Sequence, residues 1–65
     1  MGNLVMKYRG QAVEVIDRDG RVYRGVIDGV NQQRGMFLRT GFRRRFIPFF
    51  LIAAIFLLRG RRRIF

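Results

Sequence analysis

Residues 9–39 read RGQAVEVIDRDGRVYRGVIDGVNQQRGMFLR, and this stretch decides the fold. From Gln11 to Ile16, Val13 and Val15 alternate with Glu14, a period of two that fits a half-buried strand. Asp19-Gly20 then makes a tight turn, because Gly tolerates positive φ and Asp hydrogen-bonds its local backbone. The next run, Val22 to about Val30, sets Tyr23, Gly25, Ile27 and Gly29 on one side and Val22, Arg24, Val26, Asp28 and Val30 on the other. Two glycines on one face of a long strand let another backbone come close and permit a sharp bend, which is the geometry of a small barrel. Gln32-Gln33-Arg34-Gly35 has turn composition, and Met36 to Thr40 reads as a third short strand. A tight Asp-Gly turn is also what remains of any calcium-loop reading of Asp17-Arg18-Asp19-Gly20, since the other ligand positions of such a loop are missing.

Around this stretch lie a segment 1–9 and a segment 41–65, and 65 residues hold a single small domain. The chain has no His, Cys, Ser or Trp. Nucleophilic catalysis of the Ser/His or Cys/His kind therefore has neither nucleophile nor base, and Cys/His zinc ligation has no ligands, so the chain reads as non-enzymatic with no cofactor. Disulfides are excluded as the stabiliser of a chain whose core barely offsets about 1.5 kcal/mol per residue of ordering entropy. Self-association is the expected remedy. The charge adds a second class of partner: 14 Lys and Arg against 4 Asp and Glu leave a formal +10, which attracts nucleic acid or another polyanion. Up to residue 28, Lys7, Arg9, Arg18, Arg21 and Arg24 nearly balance Glu14, Asp17, Asp19 and Asp28; from residue 29 onward every charge is an arginine.

The strand and turn residues carry a family resemblance. Gly10, Val13, Val15, Gly20, Gly25, Ile27 and Leu38 resemble the first signature of the Sm-like (Lsm) family, and Leu58-Arg59-Gly60 followed by Ile64 is similar to its second. The resemblance implies an all-β fold, a strongly bent five-stranded antiparallel barrel of the Sm-like, SH3-like kind with a short N-terminal helix. It also implies rings in which the fourth strand of one copy pairs with the fifth strand of a neighbour, and single-stranded RNA bound on or through the ring. The chain departs from the family in its RNA-contacting loop, where an acidic residue and then Asn are usual and Asn31 and Gly35 stand instead. By position, only Arg59-Gly60 of the nucleotide-binding set is kept.

Between Arg43-Arg44-Arg45 and Arg59, Arg61-Arg62-Arg63 runs FIPFFLIAAIFLL, Phe46 to Leu58. As a helix its 13 residues would measure about 20 Å, short of the roughly 30 Å hydrocarbon core, so a transmembrane span is not expected. No signal peptide is visible at the N-terminus, and Met6 stands where a myristoylation signal has Ser or Thr. A cytoplasmic location, or a layer assembled inside the cell such as that of a spore, is the expectation; short proteins of spore-forming bacteria that join such a barrel to an Arg run and a Phe/Leu/Pro-rich segment are loosely similar. As a strand the run would span about 43 Å, longer than a small barrel needs, with the last strand following near Ile64. Both sides of such a strand are apolar and both want burial. One side covers the barrel's core and the other meets another subunit, another ring or lipid. The assembly interface is accordingly assigned to Phe46, Ile47, Phe49, Phe50, Leu51, Ile52, Ile55, Phe56, Leu58 and Ile64. Strand is the preferred reading of 46–58; a buried helix is the alternative.

The arginine clusters have two readings. In one they are solubilising gatekeepers that flank an aggregation-prone run. In the other, ring symmetry repeats Asn31, Arg43, Arg44, Arg45, Arg59, Gly60, Arg61, Arg62 and Arg63 into a basic rim for phosphates, with Phe42, Phe46 and Phe65 beside it to stack on bases. The sequence thus favours a self-assembling structural protein, rings that stack or tile into a tube, sheet or coat, over an Sm-like ring that binds RNA.

Overall fold

A computed structural model describes all 65 residues, Met1–Phe65. The chain runs through a helix α1 (Gly2–Lys7), strands β1 (Ala12–Asp17), β2 (Val22–Asn31), β3 (Gly35–Thr40) and β4 (Arg43–Pro48), a 3-10 turn (Phe49–Leu51) and strand β5 (Ile52–Leu57). The strands form one antiparallel sheet in the order β4-β3-β2-β1-β5. Extents of 27, 24 and 21 Å are too even for a flat layer roughly 10 Å thick, so the sheet is curled around its own core. The expected fold class is the one observed: mostly β, five antiparallel strands in a barrel-like curl, with a short N-terminal helix.

The bend is built into β2. Its first half pairs with β1, from Ala12↔Val26 to Ile16↔Val22, and its second half pairs with β3, from Val26↔Arg39 to Asn31↔Gly35. A register shift between Ile27 and Gly29 interrupts the second ladder. An extra residue in one strand adds local twist, and it also changes which side chains point inward: Ile27 is buried, while beyond the shift it is Val30, not Gly29, that packs against the core. Gly25 is where backbones meet. A Cβ there would stand 2.5 Å from the Arg39 carbonyl oxygen and 2.7 Å from Thr40 Oγ1. Thr40 uses that proximity to donate its hydroxyl to the Arg24 carbonyl at 2.6 Å.

The β1–β2 hairpin is organised by Asp17. Its Oδ1 accepts the Asp19 N–H at 3.0 Å and the Arg21 N–H at 2.9 Å, its Oδ2 accepts the Tyr23 hydroxyl at 3.1 Å, and Gly20 turns the chain at φ +85°. Burial of the carboxylate opposes ionisation, but the hydrogen bonds from Arg21, Tyr23 and Asp19 and the nearby Arg21 charge outweigh it, so the Asp17 pKa lies below the ordinary value.

The apolar run 46–58 is not one strand, and here the structure corrects the sequence reading. β4 begins earlier, at Arg43, pairs with β3 from Thr40↔Arg43 to Gly35↔Pro48, and ends at Pro48. Proline lacks the N–H that a further ladder rung would need and sits at a sheet edge without penalty. Phe49–Leu51 then reverse direction in a 3-10 turn, and β5 crosses to the far side of the sheet to pair with β1. The Asp17↔Ile52 and Ile16↔Ala54 pairings leave Ala53 as an extra residue. That bulge explains how Ile52 points inward together with Ile55 and Leu57, which strict alternation forbids. The last strand expected near Ile64 reduces to one bridge, Phe56↔Arg63.

The core gathers Val5 of α1, Val13 and Val15 of β1, Ile27 of β2, Met36 and Leu38 of β3, Ile47 of β4, and Ile52, Ile55 and Leu57 of β5. Every strand and the helix contribute, so the one copy has a continuous core of its own. No helix is long and apolar enough to cross a membrane.

Candidate functional site

The ten residues assigned to an assembly interface divide by exposure. Ile47, Ile52 and Ile55 are 4%, 2% and 0% exposed, core residues rather than surface ones, because the two strands carved from the run each give a face to the barrel interior. Phe49, Phe56, Leu58 and Ile64 are half-buried, and Phe49 and Ile64 rest against the core. Phe46, Phe50 and Leu51 remain exposed, Phe50 most of all at 71%. These three surround the end of β4 and the 3-10 turn. There an open cleft of about 560 Å³ is lined by Gln33, Arg34, Phe46, Pro48, Phe49 and Phe50. Two segments build it: the β2–β3 turn supplies Gln33 and Arg34, and the end of β4 with the 3-10 turn after it supplies Phe46, Pro48, Phe49 and Phe50. The Phe49 N–H donating to the Arg34 carbonyl at 2.9 Å ties the segments together.

Asn31 holds its own turn rather than presenting its side chain. Its Oδ1 accepts the N–H groups of Gln33 and Arg34, both at 3.1 Å. The two arginine clusters lie on or beside the two edge strands. In the first, Arg44 is held: its Nε donates to Asp28 Oδ2 at 2.9 Å, its guanidinium lies 4.0 Å from the Phe37 ring centre, and Phe37 packs across the strands on Phe46 at 5.0 Å. Arg45 lies over the Tyr23 ring at 4.9 Å, and Arg43 has no ion-pair partner. In the second, Arg62 donates to the Tyr8 hydroxyl at 3.1 Å and Arg63 donates to the Phe65 carbonyl at 2.9 Å. Arg59, Gly60 and Arg61 form an exposed turn. Only Arg24, Arg39 and Arg44 have carboxylate partners, Glu14 for the first and Asp28 for the other two. The remaining cations keep their charge available to phosphate or carboxylate on another molecule.

A scan against protein-family models finds no match to this chain, and a search of curated proteins finds none. The geometry therefore carries the functional argument. It has no nucleophile–base pair and no group of three or more His, Cys, Asp or Glu placed to hold a metal. What it offers is an apolar cleft, stacked Arg–aromatic pairs and unpaired cations, all features of non-covalent binding. Sequence reading passed over Gln33, Arg34 and Pro48 as cleft residues. Arg34 and Gln33 looked like turn filler, but Pro48 in the middle of an apolar run was a readable sign that the run must stop and turn there.

Proposed function

We propose that this chain is a non-enzymatic structural module that assembles with copies of itself, as rings able to stack or tile, through the edge of β4 and the turn that follows it. The observation that carries the reading is a cluster among the large apolar side chains left exposed, which also include Val22, Phe42 and Phe65: Phe46 and Phe50 line one cleft, and Leu51 is exposed next to Phe50 in the chain. Large apolar side chains grouped at a single place on a small surface are the mark of a contact with another protein. β4 stands at the end of the sheet with no strand beside it, so a neighbour's strand has unpaired backbone groups to meet there. The resemblance to Sm-like rings supports the same edge.

The test replaces Phe50, which touches the cleft and is not part of the core. Phe50→Arg is expected to leave the circular-dichroism spectrum intact and to lower the molar mass measured by light scattering. An unchanged mass in a protein that does associate would remove the cleft from the interface. Ile52→Arg would not serve, because it places a charge in the core and unfolds the copy it is meant to separate.

A second reading, binding of RNA or another polyanion, is favoured by the arginines without carboxylate partners and by guanidiniums already stacked on Phe37 and Tyr23. Copies that retain nuclease-sensitive absorbance at 260 nm as single rings would make this the primary function. Ordered assemblies free of nucleic acid would exclude it from that place.

A further inference from the structure

The sheet has two edge strands, and they are not equivalent. β4 has nothing beside it, whereas β5 is covered by residues 62–65 of its own chain. Leu57 donates its N–H to the Arg62 carbonyl at 2.7 Å, and Ile55 donates to the Phe65 carbonyl at 3.0 Å. In return Ile64 donates to the Ile55 carbonyl at 2.8 Å and Phe65 to the same oxygen at 3.3 Å. Phe56 and Arg63 are bridge partners, with the Arg63 guanidinium 5.9 Å from the Phe56 ring, and Ile64 packs on the core. At the Ile55–Leu57 end of β5, the Ile55 N–H and carbonyl and the Leu57 N–H, which a neighbouring strand would need, are therefore in use within the copy.

The cover is built to come off. The turn leading into it places Arg61 at φ +50°, a left-handed conformation that a side chain with a Cβ adopts only at a cost. Four arginines, Arg59, Arg61, Arg62 and Arg63, sit on this short segment and none pairs with an Asp or Glu side chain, while residues 1–58 carry a formal +6 of their own. Mutual repulsion favours the segment leaving the surface. Holding it are the backbone bonds to Ile55 and Leu57, the Ile64 side chain, the Arg63 guanidinium over the Phe56 ring and one side-chain hydrogen bond, from Arg62 to Tyr8.

We propose that residues 59–65 are an intramolecular strap over the edge of β5, and that its release opens this edge to a strand from a second copy. The inference rests on the self-assembly reading and adds a control to it: a closed copy offers one free edge, a copy with the strap released offers two, and only the second kind extends an assembly in both directions. The occupant of the opened edge is the β4 strand of another copy, which carries the complementary set of unpaired backbone groups and no strap of its own. Closed copies are held back from assembly in proportion to how rarely the strap is open.

The experiment fixes the strap covalently. Phe56→Cys with Arg63→Cys places two thiols at facing positions of an antiparallel bridge, within the separation a disulfide needs, in a chain with no other cysteine. Light scattering across a concentration series is run on the native chain, the double variant oxidised and reduced, and a chain ending at Leu58. The oxidised form, left with the β4 edge alone, is expected to go no further than two copies, and reductant is expected to restore association to the native level. The chain ending at Leu58 is expected to associate at concentrations about tenfold lower than the native chain or better. Oxidised protein that associates as well as the reduced form would overturn the strap while leaving self-assembly standing. One-copy mass in the native, reduced and shortened chains alike, each shown folded by circular dichroism, would overturn self-assembly itself and the strap with it.

Discussion

Asp17 and Gly25 show how much one residue decides in a chain this short. Asp17 is held below the ordinary carboxylate pKa despite burial, because the Arg21 and Asp19 amides, the Tyr23 hydroxyl and the Arg21 charge all favour its ionised form. A lowered folded-state pKa means that the ionised group stabilises the fold fully above the unfolded value of about 3.9, and that this contribution is lost as pH falls through the folded value. The urea midpoint of the native protein is therefore expected to drop on acidification below about pH 5. In Asp17→Asn the drop is smaller, and the midpoint at pH 7 is lower than native. A parallel pair of acid profiles would show that the hairpin carboxylate is not a stabilising charge. At Gly25 the expected outcome is steric. Gly25→Ala puts a methyl 2.5 Å from the Arg39 carbonyl oxygen, a backbone atom, and is expected to cost about 1–3 kcal/mol in urea unfolding, the range of overpacked interiors. The carboxylate that hydrogen-bonds the turn was expected at Asp19 and is Asp17, whereas Gly25 was legible as a missing side chain on a bent strand. Asn31 was not, because an asparagine that caps its own turn and one that reaches a ligand have the same letter and the same neighbours.

The strands of the first 40 residues fall within a residue or two of where alternation and turn chemistry put them, since each is a half-buried strand bounded by Gly, Asp or Gln. The run from Phe46 to Leu58 defeated the same method. Two strands that give one face each to a common core, joined by an apolar 3-10 turn and carrying a bulge at Ala53, present an unbroken apolar string with no period to read. The consequence for the interface is specific: Ile47, Ile52 and Ile55 belong to folding, and Phe46, Phe50 and Leu51 belong to contact. Ile55→Ala is accordingly expected to destabilise by about 2–5 kcal/mol, the range for truncating a buried Ile, measured by denaturant unfolding. Phe50→Ala is expected to change stability by less than about 1 kcal/mol, as exposed positions do. Equal losses at both positions would mean that Phe50 is structural and the cleft is not a docking surface.

At the scale of the molecule, charge and curl set the behaviour. The sequence showed that the second half is wholly cationic, and it could not show that Asp28 of the first half would claim both Arg39 and Arg44, or that Arg62 would reach Tyr8, because those pairings exist only once the sheet has curled. If polyanion binding is a function, its affinity for a single-stranded oligonucleotide falls linearly on a log–log plot against salt, with a slope of about −0.7 per phosphate contacted. A slope near zero in fluorescence anisotropy would remove the arginines from any such role. The curl has a further consequence, in time rather than in structure. β1, β2, β3 and β4 are joined as successive hairpins and form from neighbours in the chain, but β5 must pair with β1, joining Val13 to Leu57 and Val15 to Ile55. That contact spans most of the sequence and is the slow kind to make. Val15, Ile55 and Leu57 are expected to gain their native packing late, so their truncation speeds unfolding in stopped-flow experiments far more than it slows refolding. On a ribosome β4 and β5 would emerge after the other strands, and a chain still waiting for β5 would expose β1 to its neighbours; the arginines ahead of and behind that segment are then at work before the protein has folded.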